Sequence, residues 1–156
     1  MVSFYSYAQP VVTGFTGEGA ADARTGGGQA VLIHGSNFGF EDAKLGSITY
    51  TRQAPGGEPK VYQAAACAIS VAHTEIACTT APGAGTDLAW NVIIDGQPSV
   101  SPVTWYGKPA VSGLAWKSTG RRLATPSGFI GSASTDGGQV VEIHGENFGT
   151  SVSEPP

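Results

Sequence analysis

The chain has 156 residues, of which 40% are apolar and only 13% are charged, and its formal net charge is −4. The apolar share supports a hydrophobic core and excludes a disordered polar segment, while the 23 glycines and 10 prolines follow no Gly-X-Y period, which excludes collagen. No apolar run approaches the ~20 residues that span a bilayer, and the eight basic residues are scattered, so we expect neither a membrane span nor nucleic acid as a partner.

Eight short segments are predicted to be β-strands, because each is apolar or alternating in polarity and is bounded by Gly and Pro. In chain order they are 11–15, 29–34, 47–51, 61–64, 68–73, 75–79, 90–95 and 100–106. No window has the apolar period of 3.6 residues that marks an amphipathic helix. Seven or eight short strands in about 100 residues predict an all-β Greek-key sandwich.

An internal repeat is the strongest signal in the sequence. Residues 27–39 read Gly-Gly-Gln-Ala-Val-Leu-Ile-His-Gly-Ser-Asn-Phe-Gly, and ten of these thirteen residues recur unchanged at 137–149, 110 residues later. A fainter match at a spacing of 99 aligns 10–15 with 109–114. The second copy therefore carries an eleven-residue insertion, whose Ser, Thr, Arg and Pro content predicts a loop.

The match also extends backwards, since 4–10 aligns with 103–109. We therefore expect 1–9 to be the last strand of a preceding repeat, 10–108 to be one complete repeat, and 109–156 to be the incomplete beginning of a following repeat. Two explanations stay open. The chain could be a fragment of a longer array, which we favour, or a subunit whose missing strands come from its neighbours.

The repeated Gly-x-Asn-Phe-Gly segment is interpreted as a structural corner rather than a ligand site. Its two glycines bracket a tight turn, its phenylalanine closes one end of the sandwich, and its asparagine tolerates left-handed backbone. The residues are Gly35, Asn37, Phe38 and Gly39 in the first copy and Gly145, Asn147, Phe148 and Gly149 in the second. Just before the first corner, Val31 and Ile33 should face the core, whereas position 32 should face outwards, because Glu142 replaces Leu32 in the second copy.

Three elements together resemble the IPT/TIG family: the repeated corner, Thr-Glu-Ile-Ala-Cys-Thr-Thr-Ala-Pro at 74–82, and Trp-Asn-Val-Ile-Ile-Asp-Gly at 90–96. The resemblance covers 10–106 and the start of a second unit. It implies an immunoglobulin-like Greek-key β-sandwich, here in tandem array. Because the family occurs in plexins, transcription factors and tandem surface proteins, it implies a fold firmly and a function only loosely.

Cys67 and Cys78 are the only cysteines in the chain. A turn near 73–74 would make their strands antiparallel and bring the sulfurs together, which predicts a disulfide within one hairpin rather than the antibody-type bridge between sheets. Extracellular members of the resembled family often carry cysteines here. The alternative is two buried free thiols in a cytosolic protein, whereas a bridge would indicate an oxidising compartment.

The sequence contains no recognisable catalytic, cofactor or metal motif. No Gly-x-Ser-x-Gly, His-Glu-x-x-His or phosphate-loop pattern occurs, and the carboxylates form no Asp-x-Asp ladder for calcium. His34 and His144 occupy the same place in the two copies, so we expect each to lie half exposed at a strand end, bonded to a neighbouring loop. We predict a protein that is not an enzyme and needs no cofactor.

Aromatic side chains are the candidates for contact with another copy of the chain or with a glycan, although most aromatics serve cores and interfaces. The candidates are Phe4, Tyr5, Tyr7, Trp105, Tyr106 and Trp116. Trp105 and Tyr106 are adjacent in a predicted strand, so one of the two should face outwards. Several hydroxyl side chains near prolines or in the insertion could carry O-glycans or form bare polar loops, namely Ser99, Ser101, Ser118, Thr119, Thr125 and Ser127.

These patterns predict a structural or adhesive repeat of an extracellular filament, surface hair or stalk, joined head to tail and with 1–9 as a candidate donated strand. The expected partners are copies of the chain itself and, after them, glycans. Residues 1–7 lack the pattern of a signal peptide, so either an export signal lies elsewhere in a longer precursor or the protein is not exported. The alternatives are a receptor ectodomain spacer and a glycan-binding accessory domain of a secreted enzyme.

Overall fold

The computed structural model describes residues 7–52, 58–117, 122–125, 128–129 and 135–150. These residues form β-strands, turns and loops without a helix. They separate into two compact units: unit 1, which contains 7–107 and 149–150, and unit 2, Lys108–Phe148.

Unit 1 contains ten described strands. They are β1 (Val11–Thr16), β2 (Ala30–Ser36), β3 (Thr49–Arg52), β4 (Lys60–Gln63), β5 (Ala65–Val71), β6 (Glu75–Thr79), β7 (Leu88–Asn91), β8 (Ile93–Ile94), β9 (Gln97–Pro98) and β10 (Val103–Thr104). One sheet has the order β1-β2-β6-β5, the other has the order β10-β7-β3-β4, and β8 and β9 form a separate hairpin. The predicted all-β Greek-key sandwich is confirmed.

Only the strand predicted at 75–79 has the observed bounds, and three of the other predicted strands differ by more than small shifts at their ends. The segment predicted at 68–73 ends at Val71, because His73 has a positive φ of 64° and forms the turn before β6. The segment at 90–95 divides into β7 and β8, which pair with different partners. The segment at 100–106 is a strand only at Val103–Thr104, because Pro102 before it has no N–H to donate to a ladder.

The core lies between the two four-stranded sheets. On β2 the alternation is as predicted, since Val31 and Ile33 are fully buried and Leu32 is only partly so. They face the core together with Ile76 on β6. Burying an aliphatic side chain of this size contributes about 1.5–3 kcal/mol, so the strand pattern itself holds β2 and β6 in register.

Four aromatic side chains pack together in the core, three of them on the second sheet and the fourth, Tyr106, just after β10. Tyr50 stacks on Trp90 with ring centroids 4.5 Å apart and on Tyr62 at 5.4 Å. The Tyr50 and Tyr106 hydroxyls lie 2.8 Å apart. The Tyr106 hydroxyl donates to the Ala81 carbonyl at 2.7 Å, and the Ala81 N–H donates to the Tyr50 hydroxyl at 2.8 Å. The pair of phenols therefore anchors the loop after β6 inside the core.

A disulfide joins Cys67 on β5 to Cys78 on β6, so the predicted hairpin bridge is confirmed. The two strands are neighbours in one sheet, and β5 is the edge strand of that sheet. Cys78 is buried and packs in the core. The bridge thus holds an edge strand, whose pairing shifts register between Ala65 and Ala68, onto the sheet.

Unit 2 contains β11 (Ala110–Trp116), β12 (Arg122–Thr125), β13 (Gly128–Phe129) and β14 (Val141–Glu146), in the sheet order β13-β12-β11-β14. The prediction that the whole insertion is a loop is therefore wrong, because four of its residues form β12. The edge of β11 that faces away from β14 is the side on which β12 pairs. β12 satisfies part of that edge by pairing Ala124 with Leu114.

The buried phenols predict a loss of stability at alkaline pH. Burial raises the pKa of Tyr50 and of Tyr106 above the ordinary value of 10.0, so the unfolded chain ionises first. Their stabilisation is complete below about pH 10 and falls by about 1.4 kcal/mol per pH unit per tyrosine above it. Tyr106→Phe should therefore lower the slope of unfolding free energy against pH, measured by urea denaturation between about pH 10 and 12.

Trp105→Phe is the matched control for this experiment, because it changes an exposed neighbouring aromatic that does not titrate. Its slope should equal that of the unaltered chain. Equal slopes for Tyr106→Phe and the unaltered chain would contradict the prediction.

The disulfide predicts a second stability difference. Because it closes a loop with a sequence separation of 11, reduction should lower the free energy of unfolding by roughly 2–3 kcal/mol through the greater entropy of the unfolded chain. Thermal unfolding with and without a thiol reductant measures this loss. The double variant Cys67→Ser/Cys78→Ser should be insensitive to the reductant, and an unaltered chain that is equally insensitive would count against a stabilising bridge.

Candidate interaction site at the repeated corner

The first corner lies where β2 ends, and backbone hydrogen bonds hold it to the turn between β5 and β6. Asn37 and Gly39 have positive φ values of 63° and 79°, and Phe38 between them is fully buried. The Phe38 N–H donates to the His73 carbonyl at 3.2 Å, and the His73 N–H donates to the Gly39 carbonyl at 2.6 Å. A side chain at Gly35 would collide with the Val11 carbonyl and the Phe38 ring, so the motif needs glycine there.

The asparagine of the corner binds the chain at the point where it enters unit 1. Asn37 Nδ2 donates to the Gln9 carbonyl at 3.0 Å, one residue before Pro10. Gln9 Nε2 donates in turn to the Pro98 carbonyl at 2.5 Å. Proline fixes φ and removes a donor, so the Asn37 amide and Pro10 together restrict the direction of the segment that precedes β1.

The second corner repeats this geometry. Asn147 and Gly149 have φ values of 59° and 93°, and Asn147 Nδ2 donates to the Lys108 carbonyl at 3.3 Å, one residue before Pro109. A side chain at Gly145 would collide with the Ala110 carbonyl and the Phe148 ring, as at Gly35. The two copies differ in burial, because Phe148 is 52% exposed whereas Phe38 is fully buried.

The strand pairing next to the corners is also the same in both copies. β1 pairs with β2 from Val11↔Ser36, and β11 pairs with β14 from Ala110↔Glu146. Each pairing has a register shift at the same place, between Val12 and Gly14 in unit 1 and between Val111 and Gly113 in unit 2. The sequence match between the copies therefore extends to backbone geometry and to the asparagine hydrogen bond.

A cleft of about 610 Å³ opens beside the first corner in unit 1. Tyr7 and Ala8 form one wall, and the exposed ring of Phe40 packs edge-on against His73 at 4.6 Å. The remaining lining combines carboxylates, an ammonium group and apolar surface from Pro10, Asn37, Gly39, Asp42, Ala43, Lys44, Ile94, Asp95 and Gln97. Such a mixed, open surface suits contact with another protein surface better than enclosure of a small ligand.

The predicted aromatic contacts lie in different environments. Tyr7 is 92% exposed, Trp105 is 42% exposed and Trp116 is half-buried. Tyr106 is only 2% exposed and lies in the core. It therefore offers no surface to a neighbouring copy or a glycan, and the prediction fails for this residue. Two further candidates, Phe4 and Tyr5, lie outside the described residues.

The hydroxyl candidates for O-glycosylation fall into three groups. Ser99 and Ser101 have their hydroxyls 2.7 Å apart, and Ser99 Oγ also accepts from the Val92 N–H at 3.1 Å, which disfavours a glycan on either serine. Thr125 lies in β12 rather than in the predicted loop. The other candidates, Ser118, Thr119 and Ser127, lie outside the described residues.

His34 lies partly exposed near the end of β2, but it contacts neighbouring strands instead of the predicted loop. Its Nε2 is 2.6 Å from Thr16 Oγ1 and its Nδ1 is 3.5 Å from Glu75 Oε2. The Thr16 hydroxyl, the His34 imidazole and the Glu75 carboxylate thus form a row on the outer face of the sheet, where water reaches them. In the second copy His144 is instead 4.0 Å from Glu142 and Ala115 aligns with Thr16. We interpret the group as a link between β1, β2 and β6.

Within the described ranges, no group of three His, Cys, Asp or Glu side chains is placed to hold a metal ion. The same part of the chain contains no helix that is long and apolar enough to cross a membrane. The hydrogen bond between the corner asparagine and the carbonyl before the proline was not predicted from the sequence. A signal for it exists, because both corners carry Asn at the same place and both preceding segments carry Pro at the aligned position.

Two antiparallel sheets with these strand orders, packed around a Trp and Tyr core, define an immunoglobulin-like β-sandwich module. A family model described as the IPT/TIG domain matches residues 10–105. The match covers more than half of the chain, and the chain therefore belongs to the IPT/TIG family, whose domains are generally non-catalytic immunoglobulin-like modules. No curated protein and no solved structure matches the chain.

The hydrogen bond at the corner can be separated from the backbone conformation by two substitutions. Asn37→Gly keeps the left-handed backbone accessible but removes the amide, so it should lower the free energy of unfolding by about 0.5–1 kcal/mol. Asn37→Ala should lose about 1 kcal/mol more, because a Cβ disfavours positive φ. Urea denaturation measures both losses. A glycine variant as stable as the unaltered chain would show that the Gln9 contact contributes nothing.

Proposed function

We propose that the chain is a non-catalytic structural segment of an extracellular filament, surface hair or stalk, built from IPT/TIG repeats in tandem. In this proposal 1–9 is the last strand of a preceding repeat, 10–108 is one complete repeat and 109–156 begins the next. The observation that carries the proposal is the agreement between the two corners, which share sequence, φ values, strand register and the asparagine hydrogen bond.

The points at which the chain enters and leaves unit 1 support a head-to-tail connection of repeats. Near its start, Val11 pairs with Val100 in parallel, and near its end Tyr106 pairs with Ala23 in parallel. The segment 100–106 therefore runs in the same direction as β1, so the chain enters at one end of the sandwich and leaves at the other. A linear array needs this arrangement, because each repeat then contacts mainly its two neighbours.

Exposed apolar side chains supply surface for contacts between repeats or copies. Phe40 lies exposed near the point where the chain enters unit 1, and Trp105 lies exposed near the point where it leaves. IPT/TIG domains mediate protein contacts, and exposed aromatic residues of this kind are enriched in protein interfaces. A partly exposed tryptophan could also stack on a sugar ring, so Trp105 is the residue that would support the second candidate function, glycan binding.

The disulfide and the composition support an extracellular location. Disulfides persist in oxidising compartments, and Cys67 and Cys78 are bonded. With only 13% charged residues, the chain depends on uncharged polar side chains for most of its hydrophilic surface. These two features fit a secreted β-protein. A receptor ectodomain spacer would share both of them and would differ in carrying a separate binding domain.

Electron microscopy of the native material tests this proposal. Thin filaments or stalks of regular width, with a repeat spacing near the length of one sandwich, are expected. A compact particle in which the repeats flank a large unrelated domain would contradict the filament proposal and would favour the receptor spacer.

Strand donation is tested separately by deleting 1–9, which should abolish polymerisation of the chain if a donated strand joins separate copies. Replacing 1–9 by a Gly/Ser segment of equal length is the control for chain length and should abolish it equally. Filaments that persist in either variant would exclude donation while leaving a covalent tandem array intact. For glycan binding, Trp105→Ala should remove binding to a glycan array, and unchanged binding would exclude Trp105 as the contact.

A further inference from the structure

Tyr7 is exposed in unit 1 but corresponds to a residue that is part of the core. The alignment of 4–10 with 103–109 places Tyr7 at the position of Tyr106. Tyr106 is 2% exposed and Tyr7 is 92% exposed. A tyrosine ring has a large apolar surface and contributes most to stability when it is buried. The difference in burial between two aligned tyrosines therefore needs an explanation.

The corner asparagines confirm that the two tyrosines are equivalent in position. Two residues after Tyr7, the Gln9 carbonyl accepts from Asn37, and two residues after Tyr106, the Lys108 carbonyl accepts from Asn147. The alignment of the segments thus rests on a hydrogen bond in the structure as well as on sequence. In one of the two cases, the tyrosine before this carbonyl is buried in the repeat that ends there.

From these observations we infer that Tyr7 is a core residue of a second IPT/TIG repeat, the one that precedes Pro10 in the array. In that repeat its phenol occupies the site that Tyr106 occupies in unit 1. This inference rests on the proposed tandem array and adds to it a specific contact. The ring packs beside the tyrosine equivalent to Tyr50, and the hydroxyl donates to the backbone carbonyl equivalent to that of Ala81.

The site that would receive Tyr7 has clear requirements, which unit 1 displays. The Tyr106 hydroxyl lies within hydrogen-bond distance of the Tyr50 hydroxyl and the Ala81 carbonyl. The Tyr106 N–H donates to the Gly85 carbonyl at 2.9 Å. A side chain added at Gly83 would meet the Tyr106 hydroxyl at 2.7 Å, so the ring fits closely against this loop. A segment that fills the site must place a tyrosine at this one position.

Strand replacement in the full chain tests the inference. Residue 103 and residues 105–108 are replaced by those of 4 and 6–9, Phe and Ser-Tyr-Ala-Gln, which puts the Tyr7 segment into the Tyr106 site. Thr104 is kept, because it is buried and its hydroxyl accepts from Trp90 Nε1 in unit 1. The chimera should unfold cooperatively with a thermal midpoint within about 5 °C of the unaltered chain. Spectrophotometric titration should show the same number of tyrosines that resist ionisation above about pH 11 as in the unaltered chain.

The matched control uses almost the same residues displaced by one position. Residue 103 and residues 105–108 are replaced by those of 3 and 5–8, again with Thr104 kept, which puts serine at position 106. A shift of one residue turns every side chain of a strand to the opposite face, so this variant should lose more than about 15 °C in midpoint, or fail to fold. An unfolded chimera beside a folded Tyr106→Phe variant would overturn the inference, and so would equal stability of the chimera and the displaced control.

A second measurement uses the native assembled material. Nitration of exposed tyrosines should modify Tyr7 in the isolated chain and spare it in the assembly, while Tyr106 is spared in both. Nitration of Tyr7 in the assembly would overturn the inference. The chimera reports on the fit of the segment to the site, and microscopy reports on the array, so failure of one proposal is distinguishable from failure of the other.

Discussion

The contact between the Tyr50 and Tyr106 hydroxyls, shared with the Ala81 backbone, is the interaction on which the rest of unit 1 depends. The segment at the end of unit 1 forms few ladder hydrogen bonds, because β10, its only regular strand, has two residues. Trp90 Nε1 adds one more bond by donating to Thr104 Oγ1 at 2.7 Å. Each such bond contributes about 1 kcal/mol, and the burial of the Tyr106 ring contributes more. Side chains thus add to the few backbone hydrogen bonds that hold the end of unit 1, such as the one from the Tyr106 N–H to the Gly85 carbonyl.

The segment that leads into β1 of unit 1 is held by a different contact, a hydrogen bond from the corner asparagine. Asn37 has a positive φ, which costs free energy, and in this conformation its side-chain amide donates to the Gln9 carbonyl. A positive φ is unfavourable for most residues, but asparagine tolerates it best among those with a side chain. The corner therefore combines two requirements, a reversal of the chain and a donor at a fixed point, that glycine could meet only in part. The same combination at Asn147 explains why the motif keeps asparagine in both copies.

Much of the fold could be predicted from the sequence, because the strands that form the core have clear alternation. Val31 and Ile33 are an example, and the disulfide followed from a hairpin that the turn at His73 predicts. The burial of Tyr106 could not be predicted, since alternation states only that Trp105 and Tyr106 face opposite ways. Which of them is buried is decided by partners distant in sequence, the Gly85 carbonyl and the Tyr50 hydroxyl.

The strand in the insertion was missed for a related reason. Arg-Leu-Ala-Thr at 122–125 has little β pattern of its own. It is a strand because it pairs with β11, and the polarity pattern of the four residues alone does not show that pairing. For the candidate site, the sequence identified the corner residues but not their partners. A repeat shows which residues two copies share. It does not show that Asn37 and Gln9, 28 residues apart, form a hydrogen bond.

A comparison of the two copies also limits where a shared function can lie. On the outer face the copies differ where Glu142 replaces Leu32, so a ligand that contacts Leu32 would meet a different surface in the second copy. Around the corner they agree in sequence, in backbone φ and in the asparagine hydrogen bond. A role that recurs along an array must use features that recur with it. The places that meet this condition in the described residues are the corner and the segment leading into it, which supports a function at the connections between repeats.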